Sequence, residues 1–268
     1  MARPNRNSPR SIALTGASGG LGTALALEYA APGVALFLIG RDRARLDHLA
    51  SAVAKRGGSA TIAQCDVTDP VALGQALTAR DKTHPIDLLI ANAGITVGCG
   101  PDGIEAPADA RRAIDTNLCG MLSTIEPLIP AMAARGAGQI ALVGSLAALN
   151  PHPDLPVYSA TKAAIRAYGR AIAPVLGSRG IHVAVISPGF VDTPMAARHH
   201  GAKPFQLRPD RAARIIRRGL ARNRRMITFP LALTLLIRLG NLLPAWAQDR
   251  MQALFRADIG PEKSDADP

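Results

Sequence analysis

A doubly wound α/β fold, in which helices cover both faces of a parallel sheet, is predicted for this sequence on two observations. Up to about residue 187, short aliphatic runs bounded by turn residues alternate with longer Ala-rich stretches of helical character. Continuous apolar runs are typical of strands that are buried on both faces. The length of 268 residues, of which 48% are hydrophobic, suffices for one large domain and does not require a second.

Each element follows from a local run of the chain. Six aliphatic runs are the predicted parallel strands: 11–15, 34–40, 59–65, 86–92, 139–145 and 181–187. The stretches between them are predicted helices at 20–31, 42–56, 70–80, 105–134 and 155–178. Right-handed crossovers between successive parallel strands then place the helices on both sheet faces. A further helix is predicted from about residue 209, and a last strand at 225–229.

The chain is divided into a core, a variable segment and two polar ends. Residues 10–193 form the predicted core, and 194–250 form a lid segment of the same domain. Residues 1–9 are basic and lack an apolar stretch of signal-peptide length, so we expect disorder and no secretory signal. Residues 251–268 are a predicted polar tail. The few, scattered cysteines (Cys65, Cys99 and Cys119) predict neither a disulfide framework nor a zinc site, and they favour the cytoplasm.

A glycine-rich loop directly follows the first predicted strand and opens the first helix. In TGASGGLG (15–22), Gly16 permits a tight turn, Gly20 lets the backbone approach a pyrophosphate, and Gly22 lets the helix pack closely on the strand. The helix N-terminus adds N–H groups and a positive dipole. The loop therefore predicts a dinucleotide site of the Rossmann type, with Ser18 and Leu21 among its contacts, rather than a bare turn.

The end of the second strand predicts which dinucleotide binds. An acidic residue at this position accepts a hydrogen bond from the ribose of NAD, whereas a basic one accommodates the 2′-phosphate of NADP. The sequence has Arg41 there, and Asp42 is better placed to cap the next helix. Arg43 and Arg45 are interpreted as a solvated helix face. NADP(H) is therefore favoured over NAD(H).

A tyrosine and a lysine are spaced by one helical turn in VYSATKAA (157–164). Tyr158 and Lys162 then project from the same helix face, close enough for the ammonium to act on the phenol. A nearby cation favours the phenolate and lowers the pKa of the tyrosine. The pair is either an acid–base group or an ordinary amphipathic pair.

Seven motifs in this order make the chain resemble the short-chain dehydrogenase/reductase family over about residues 10–195. They are the glycine-rich loop, Asp66-Val67, ANAG (91–94), Asn117, Ser145, Tyr158-x-x-x-Lys162 and PGFVDT (188–193). The resemblance implies a nicotinamide cofactor. By this resemblance, Asp66 and Val67 hold the adenine, and Asn92 steadies the sheet beside the cofactor. Thr193 contacts the nicotinamide carboxamide, and Pro188 and Gly189 line its ring. Further cofactor contacts are assigned to Ala93, Gly94 and Val191.

The resemblance also implies the roles of four catalytic residues. Tyr158 exchanges a proton with the substrate oxygen, and Ser145 positions that oxygen by a hydrogen bond. Lys162 also holds the nicotinamide ribose, and Asn117 holds a water that links Lys162 to solvent.

Two functions of different classes follow from these assignments. The leading one is an NADP(H)-dependent oxidoreductase that interconverts a small-molecule carbonyl and a secondary alcohol. The alternative is a non-catalytic nucleotide-binding regulatory or scaffolding protein on the same fold. The resemblance further implies a homodimer or homotetramer built on the helices at 105–134 and 155–178.

The last third of the chain concentrates positive charge. Residues 198–250 hold 12 basic and 2 acidic residues, against 17 and 14 in residues 1–197. The apolar run at 229–247 is interrupted by Arg238 and Asn241, so it is too short to span a bilayer, which takes about 20 apolar residues.

Three interpretations of this segment stay open. It is a lid over an apolar, lipophilic substrate, a peripheral contact with an anionic membrane at the inner membrane face, or a subunit contact. No nucleic-acid partner is predicted, because the arginines lack neighbouring aromatic residues for stacking. No metal site is predicted either, because His152, His182, His199 and His200 have no ligand spacing with acidic or Cys partners.

Overall fold

The computed structural model describes residues 9–100, 102–253 and 258–259. Its strands are β1 (Ser11–Thr15), β2 (Ala35–Gly40), β3 (Ser59–Gln64), β4 (Leu88–Ala91), β5 (Gly138–Val143), β6 (Ile181–Pro188), β7 (His199–His200), β8 (Met226–Phe229) and β9 (Asp258–Ile259). Seven of them form one parallel sheet in the order β3-β2-β1-β4-β5-β6-β8. The order reverses between β1 and β4, where a doubly wound sheet opens the crevice that binds ligands.

The helices are α1 (Gly20–Tyr29), α2 (Arg43–Lys55), α3 (Pro70–Thr83), α4 (Pro107–Ile114), α5 (Gly120–Ile125), α6 (Ile129–Arg135), α7 (Pro156–Gly177), α8 (Pro194–Ala197), α9 (Pro209–Ala221), α10 (Leu231–Gly240) and α11 (Ala245–Ala253). Side chains of α1, α2 and α9 form the core on one face of the sheet. Side chains of α3, α5, α6 and α7 form the core on the other. The predicted doubly wound, single-domain α/β fold is confirmed.

The predicted helix at 105–134 is the main departure from the expected elements. The chain there forms α4, a π-helical turn (Asp115–Cys119), α5, a 3₁₀ turn (Glu126–Leu128) and α6. Pro127 lies in the 3₁₀ turn and Pro130 at the start of α6. Proline has no N–H to donate to an α-helical ladder, which explains the second interruption.

The two predicted polar ends lie largely outside the described residues. Of residues 1–9, only residue 9 is described. The predicted polar tail, 251–268, is described at 251–253 and 258–259. Residues 251–253 complete α11, and β9 pairs antiparallel with β7.

The apolar segment after β8 forms α10 and the start of α11. Leu233 is buried, whereas Leu235 and Leu239 face outward together with Leu242, which is 81% exposed, and Trp246. Among the described residues, no helix is both long enough and apolar enough to cross a bilayer. This segment therefore presents an exposed apolar face, which we call the α10 face: Leu231, Leu235, Leu239, Leu242, Leu243 and Trp246.

Candidate active site

One cavity of about 500 Å³ runs along the carboxyl ends of β1, β2, β4, β5 and β6. All but one of the residues assigned to the site from the sequence line it: Gly16, Ser18, Gly20, Leu21, Gly22, Arg41, Asp66, Val67, Asn92, Ala93, Gly94, Ser145, Tyr158, Lys162, Pro188, Gly189, Val191 and Thr193. Asn117 is the exception, because it is fully buried behind the wall. The fold thus brings six of the seven separated motifs to one cavity and places the seventh, Asn117, behind its wall.

The glycines of the first loop are fitted against the opposite walls of this cavity. Gly16 has a φ of +63°, and a Cβ there would lie 2.8 Å from Cα of Ala93. A Cβ on Gly20 would lie 2.7 Å from Cγ2 of Thr193, and one on Gly22 would lie 2.1 Å from the carbonyl oxygen of Gly16. Side chains at these positions would close the space, so the loop keeps a backbone-lined cradle that suits a pyrophosphate.

Asn92 ties the loop after β4 to the end of β1. Its Nδ2 donates to the carbonyl oxygens of Thr15 and Gly16, each at 3.1 Å. Its backbone N–H donates to Oγ1 of Thr15 at 3.2 Å. The glycine-rich turn is therefore braced from the loop after β4.

Arginine side chains lie at the end of the cavity beside β2. Nη1 of Arg41 is 4.0 Å from Oδ2 of Asp66, and the Arg41 side chain is 55% exposed. Asp42 caps α2 by accepting from the backbone N–H of Arg45 at 2.9 Å, which confirms the prediction for Asp42. Arg43 pairs with Asp47 along the helix. Arg45 is a solvated residue of the same helix face, 69% exposed and 3.0 Å from Oδ2 of Asp42, and it also borders the cavity.

α7 places Tyr158 and Lys162 on the wall of the cavity, one turn apart. Nζ of Lys162 lies 5.6 Å from the centroid of the Tyr158 ring and donates to the carbonyl oxygen of Val143 at 3.0 Å. The lysine is only 4% exposed. Because burial disfavours the ammonium, it lowers the pKa of Lys162 to about 8.

The phenol of Tyr158 is governed by burial rather than by the lysine. Burial raises the pKa of Tyr158, and a hydrogen bond with Ser145 opposes part of that rise. The expectation that Lys162 lowers this pKa is therefore wrong for this structure, where burial is the largest cause of the shift and Ser145 is the group that opposes it. Tyr158 therefore carries its proton at neutral pH, as a proton donor must before it acts.

Asn117 acts here through contacts within the protein. Its Oδ1 accepts from the backbone N–H of Ile95 at 2.7 Å, and its Nδ2 donates to the carbonyl oxygen of Ile95 and to Oγ1 of Thr161. Thr161 in turn donates to the carbonyl oxygen of Tyr158. The side chain thus joins the loop after β4 to α7, and the water link to Lys162 stays a prediction.

The far end of the cavity is formed by segments that the sequence patterns did not connect. Its walls are mostly apolar, with two histidines: Leu146, His152, Leu155, Phe190, His199, Leu233, Leu236, Ile237 and Ile259. These residues come from five separate segments, and no local spacing rule relates them. Within the described ranges, no group of three His, Cys, Asp or Glu side chains is placed to hold a metal ion.

Known proteins share this arrangement. Residues 10–203 match the family model for short chain dehydrogenases. An oxidoreductase from Myxococcus xanthus is 32% identical over 239 residues, which cover 88% of this chain and 94% of that one.

Two solved structures show the same fold around nicotinamide cofactors. A short-chain dehydrogenase from Sphingobium yanoikuyae in complex with NADPH is 26% identical, with a TM-score of 0.76 over 92% of this chain and 96% of that chain. A 3-oxoacyl acyl-carrier-protein reductase from Brucella melitensis with bound NAD is 27% identical, with a TM-score of 0.70 over 84% of this chain and 90% of that one. This chain belongs to the short-chain dehydrogenase family of nicotinamide-dependent oxidoreductases.

Proposed function

We propose that this protein is an NADP(H)-dependent oxidoreductase that interconverts a carbonyl and a secondary alcohol, with Tyr158 as the proton donor and acceptor. One observation carries the proposal: Tyr158, hydrogen-bonded to Ser145 and one turn from the buried Lys162, lines the same cavity as the glycine-rich loop. A protein that only bound a nucleotide would need the loop but not this group of three side chains.

The chemistry divides among the residues of the cavity wall. NADP(H), when bound, supplies or accepts the hydride. Tyr158 donates its proton to the substrate oxygen as negative charge develops there, and Ser145 orients that oxygen. We assign the contact with the nicotinamide ribose to Lys162, and its hydrogen bond to the Val143 carbonyl supports this by holding the ammonium at the cavity wall.

The cofactor preference rests on the arginines beside β2. Arg41 and Arg45 both line the end of the cavity where the second strand stops. Two guanidinium groups suit a phosphate, whereas the ribose hydroxyl of NAD is bound by an acidic residue. We therefore assign NADP(H) to this chain, although related structures hold either cofactor.

The proposal is tested by a carbonyl substrate panel read by NADPH consumption. Tyr158→Phe removes one oxygen and retains the ring, so NADPH affinity should persist while turnover falls by about 10²-fold or more. Tyr168→Phe is the matched control, because Tyr168 packs in the core beside the sheet and does not line the cavity. Near-normal turnover in Tyr158→Phe would remove Tyr158 from the mechanism. NADPH binding without turnover of any carbonyl would favour the regulatory alternative.

The substrate is proposed to be lipophilic. Leu233, Leu236 and Ile237 of α10 line the far end of the cavity, and Ile259 of β9 closes over the loop at Gly98. A small, strongly hydrated substrate would gain little binding free energy from such a wall, because it has little apolar surface to remove from water. Long-chain ketones should therefore be reduced with higher kcat/KM than acetone.

α10 is proposed to contact an anionic membrane through the α10 face, so that the protein is cytoplasmic and peripheral at the inner membrane face. The same helix lines the cavity on its other side, which makes the lid and the membrane contact compatible. Three arginines lie near one another, because the charges of Arg170 and Arg238 help to lower the pKa of Arg166. Apolar side chains flanked by cations suit an interfacial helix.

We also propose that the protein forms a homodimer or homotetramer through α4–α6 and α7. Light scattering coupled to size-exclusion chromatography reads the mass directly. A monomeric mass at micromolar concentration would exclude it.

A further inference from the structure

His199 is a buried polar residue that the proposed mechanism does not use. It lines the far end of the cavity and is only 6% exposed. Among the described residues, its Nε2 has no hydrogen-bond partner. Buried polar atoms are nearly always paired, and an unmet one costs about 1–3 kcal/mol. A partner supplied by a ligand would remove this cost.

The ring of His199 is held in place from several sides. Its backbone pairs with Ile259 across the β7–β9 ladder. The preceding residue, Arg198, donates to the carbonyl oxygen of Thr96 at 3.1 Å and to its Oγ1 at 2.7 Å. The ring of Phe190 lies 5.1 Å from that of His199, centroid to centroid. These contacts restrain the ring of His199 at the cavity wall.

A second histidine connects this ring to the catalytic tyrosine. The ring of His152 lies 5.7 Å from that of His199, edge to face, and its Nδ1 is 3.3 Å from Oδ2 of Asp154. The backbone N–H of His152 donates to Oγ of Ser159 at 3.0 Å, and Ser159 adjoins Tyr158 in α7. The two histidines therefore belong to the substrate side of the cavity.

The protonation of His199 can be derived from its surroundings. Burial foremost, and then His152 and Lys203, lower the pKa of His199, while a hydrogen bond with the Ala202 backbone and the charge of Asp154 oppose them. A neutral ring has one N–H. The bond with Ala202 favours the protonated ring, so the ring is the donor of that bond. Because Nε2 has no partner, the donating nitrogen is Nδ1. Nε2 is left as a bare acceptor.

We propose that Nε2 of His199 accepts a hydrogen bond from a hydroxyl or N–H group of the substrate. This inference rests on the proposed function, because it assumes that the cavity takes a carbonyl compound. It deepens that function by defining the substrate class, which is a lipophilic ketone with a second polar group that donates a hydrogen bond. His199 is then a specificity-determining residue, while Tyr158 remains the acid.

The tautomer is tested directly by ¹⁵N NMR on the full-length protein, with His199→Gln used for assignment. At neutral pH, we expect Nε2 of His199 to resonate as an unprotonated nitrogen and Nδ1 as a protonated one. A protonated Nε2 would overturn the inference whatever the substrate, because the ring could not then accept. This readout does not depend on turnover.

The substrate class is tested with three matched probes: hydroxymethyl, methoxymethyl and ethyl hexyl ketone. We expect kcat/KM to be about threefold to tenfold higher for the hydroxymethyl ketone than for the other two ketones, because one additional hydrogen bond contributes a factor of this size. The methoxy probe retains the acceptor oxygen but lacks the donor, so it should behave like the ethyl ketone. His199→Leu should abolish the preference, and His199→Gln should keep part of it through the amide oxygen. His200→Leu, at an exposed neighbouring position, is the control.

The outcomes separate this inference from the proposed function. Turnover of all three ketones with equal preference in the unmutated protein and in His199→Leu overturns the inference alone. If no ketone is turned over, the proposed function fails, and binding is then read from the Nε2 resonance. A shift with the hydroxymethyl ketone but not with the ethyl ketone would still support the acceptor role, and no shift with either would overturn it.

Discussion

Lys162 is buried where a charged ammonium destabilises the folded protein. The free energy of unfolding should therefore depend on pH. Its pKa is about 8 in the folded protein and about 10.5 when unfolded. Between these values the unfolded chain binds more protons, so the contribution of Lys162 makes the free energy of unfolding rise with pH. Below pH 8 both states are protonated, and this contribution is constant.

We therefore predict that Lys162→Met removes a rise in stability that develops above pH 8 and reaches about 2 kcal/mol at pH 9.5. The measurement is urea unfolding of both proteins in steps from pH 7 to pH 9.5, read as the difference between the two curves. Taking the difference cancels the titration of other groups. Parallel curves would show that Lys162 titrates normally in the folded state.

Arg41 is expected to decide between the two nicotinamide cofactors. The protein should bind NADPH at least about tenfold more tightly than NADH, which corresponds to about 1.4 kcal/mol. Arg41→Ala should erase most of that difference, because the 2′-phosphate loses its cation. Arg43→Ala is the matched control, since Arg43 pairs with Asp47 and does not line the cavity. Equal affinities for the two cofactors, measured by calorimetry, would contradict the assignment.

Residues whose roles depend on local spacing could be predicted from the sequence. Tyr158 and Lys162 share one helix face, and Gly16 and Gly20 share one turn, so a few residues of sequence suffice to relate them. His199 could not be found in this way. Its significance depends on β9, on His152 and on the cavity, which meet only in the folded chain.

At the scale of elements, the fit of α7 on the sheet depends on one glycine. A Cβ on Gly169 would lie 2.4 Å from Cγ2 of Val185 and 2.9 Å from Cδ1 of Leu142. We predict that Gly169→Ala destabilises the protein by about 1–3 kcal/mol, because the helix must move away from β5 and β6. Urea unfolding gives the value.

Gly177→Ala, in the same helix, is the control for Gly169→Ala. A Cβ at Gly177 meets nothing within 4 Å, and the position is exposed. The change should therefore be neutral or stabilise by up to about 1 kcal/mol, as alanine favours helix. Equal effects at the two positions would show that close packing at Gly169 is not needed.

Element boundaries were predicted well where burial alone sets them. The strands of the large sheet lie within about two residues of the aliphatic runs at their ends, as is usual. The interrupted helix before β5 was missed, because Ala-rich composition favours helix throughout 105–134 and a π-helical turn leaves no pattern in the apolar residues. The pairing of β7 with β9 was missed because two-residue strands carry no periodicity.

At the scale of the whole molecule, the structure changes the expected source of positive charge beside the α10 face. α9 packs on the sheet face opposite α7, and its Arg214 and Arg217 pair with Asp210 and Glu28. Arg238 of α10 lies instead near Arg166 of α7, since its charge helps to lower the pKa of Arg166. The arginines of α9 are thus less suited to the membrane contact than those of α7.

We predict that the protein co-sediments with anionic vesicles at low salt and that binding weakens at high salt, since each arginine near such a surface contributes about 1 kcal/mol. Leu235→Asp with Leu239→Asp should abolish binding without unfolding the domain, because both side chains are exposed. Val71→Asp, at an exposed apolar position of α3, should not affect it. Protein that stays in the supernatant with vesicles at low salt would exclude the membrane contact.

The same experiment distinguishes the two sets of arginines. Arg166→Gln with Arg170→Gln should weaken vesicle binding and reduce its salt dependence. Arg211→Gln with Arg218→Gln removes the same charge from exposed positions of α9 and should leave binding nearly unchanged. The reverse result would place the cationic contact on α9.

The α10 face also carries a natural optical label. The chain contains a single tryptophan, Trp246, and its side chain is 67% exposed. Indole emission moves to shorter wavelength when the ring leaves water, so the tryptophan fluorescence of this protein, excited selectively at the red edge of its absorption, reports on this one surface. A blue shift with vesicles, and its quenching by brominated acyl chains, would measure how deeply the surface enters the bilayer. If the α10 face is covered by a second copy of the chain instead, the emission should shift to shorter wavelength as the protein concentration rises in the absence of vesicles.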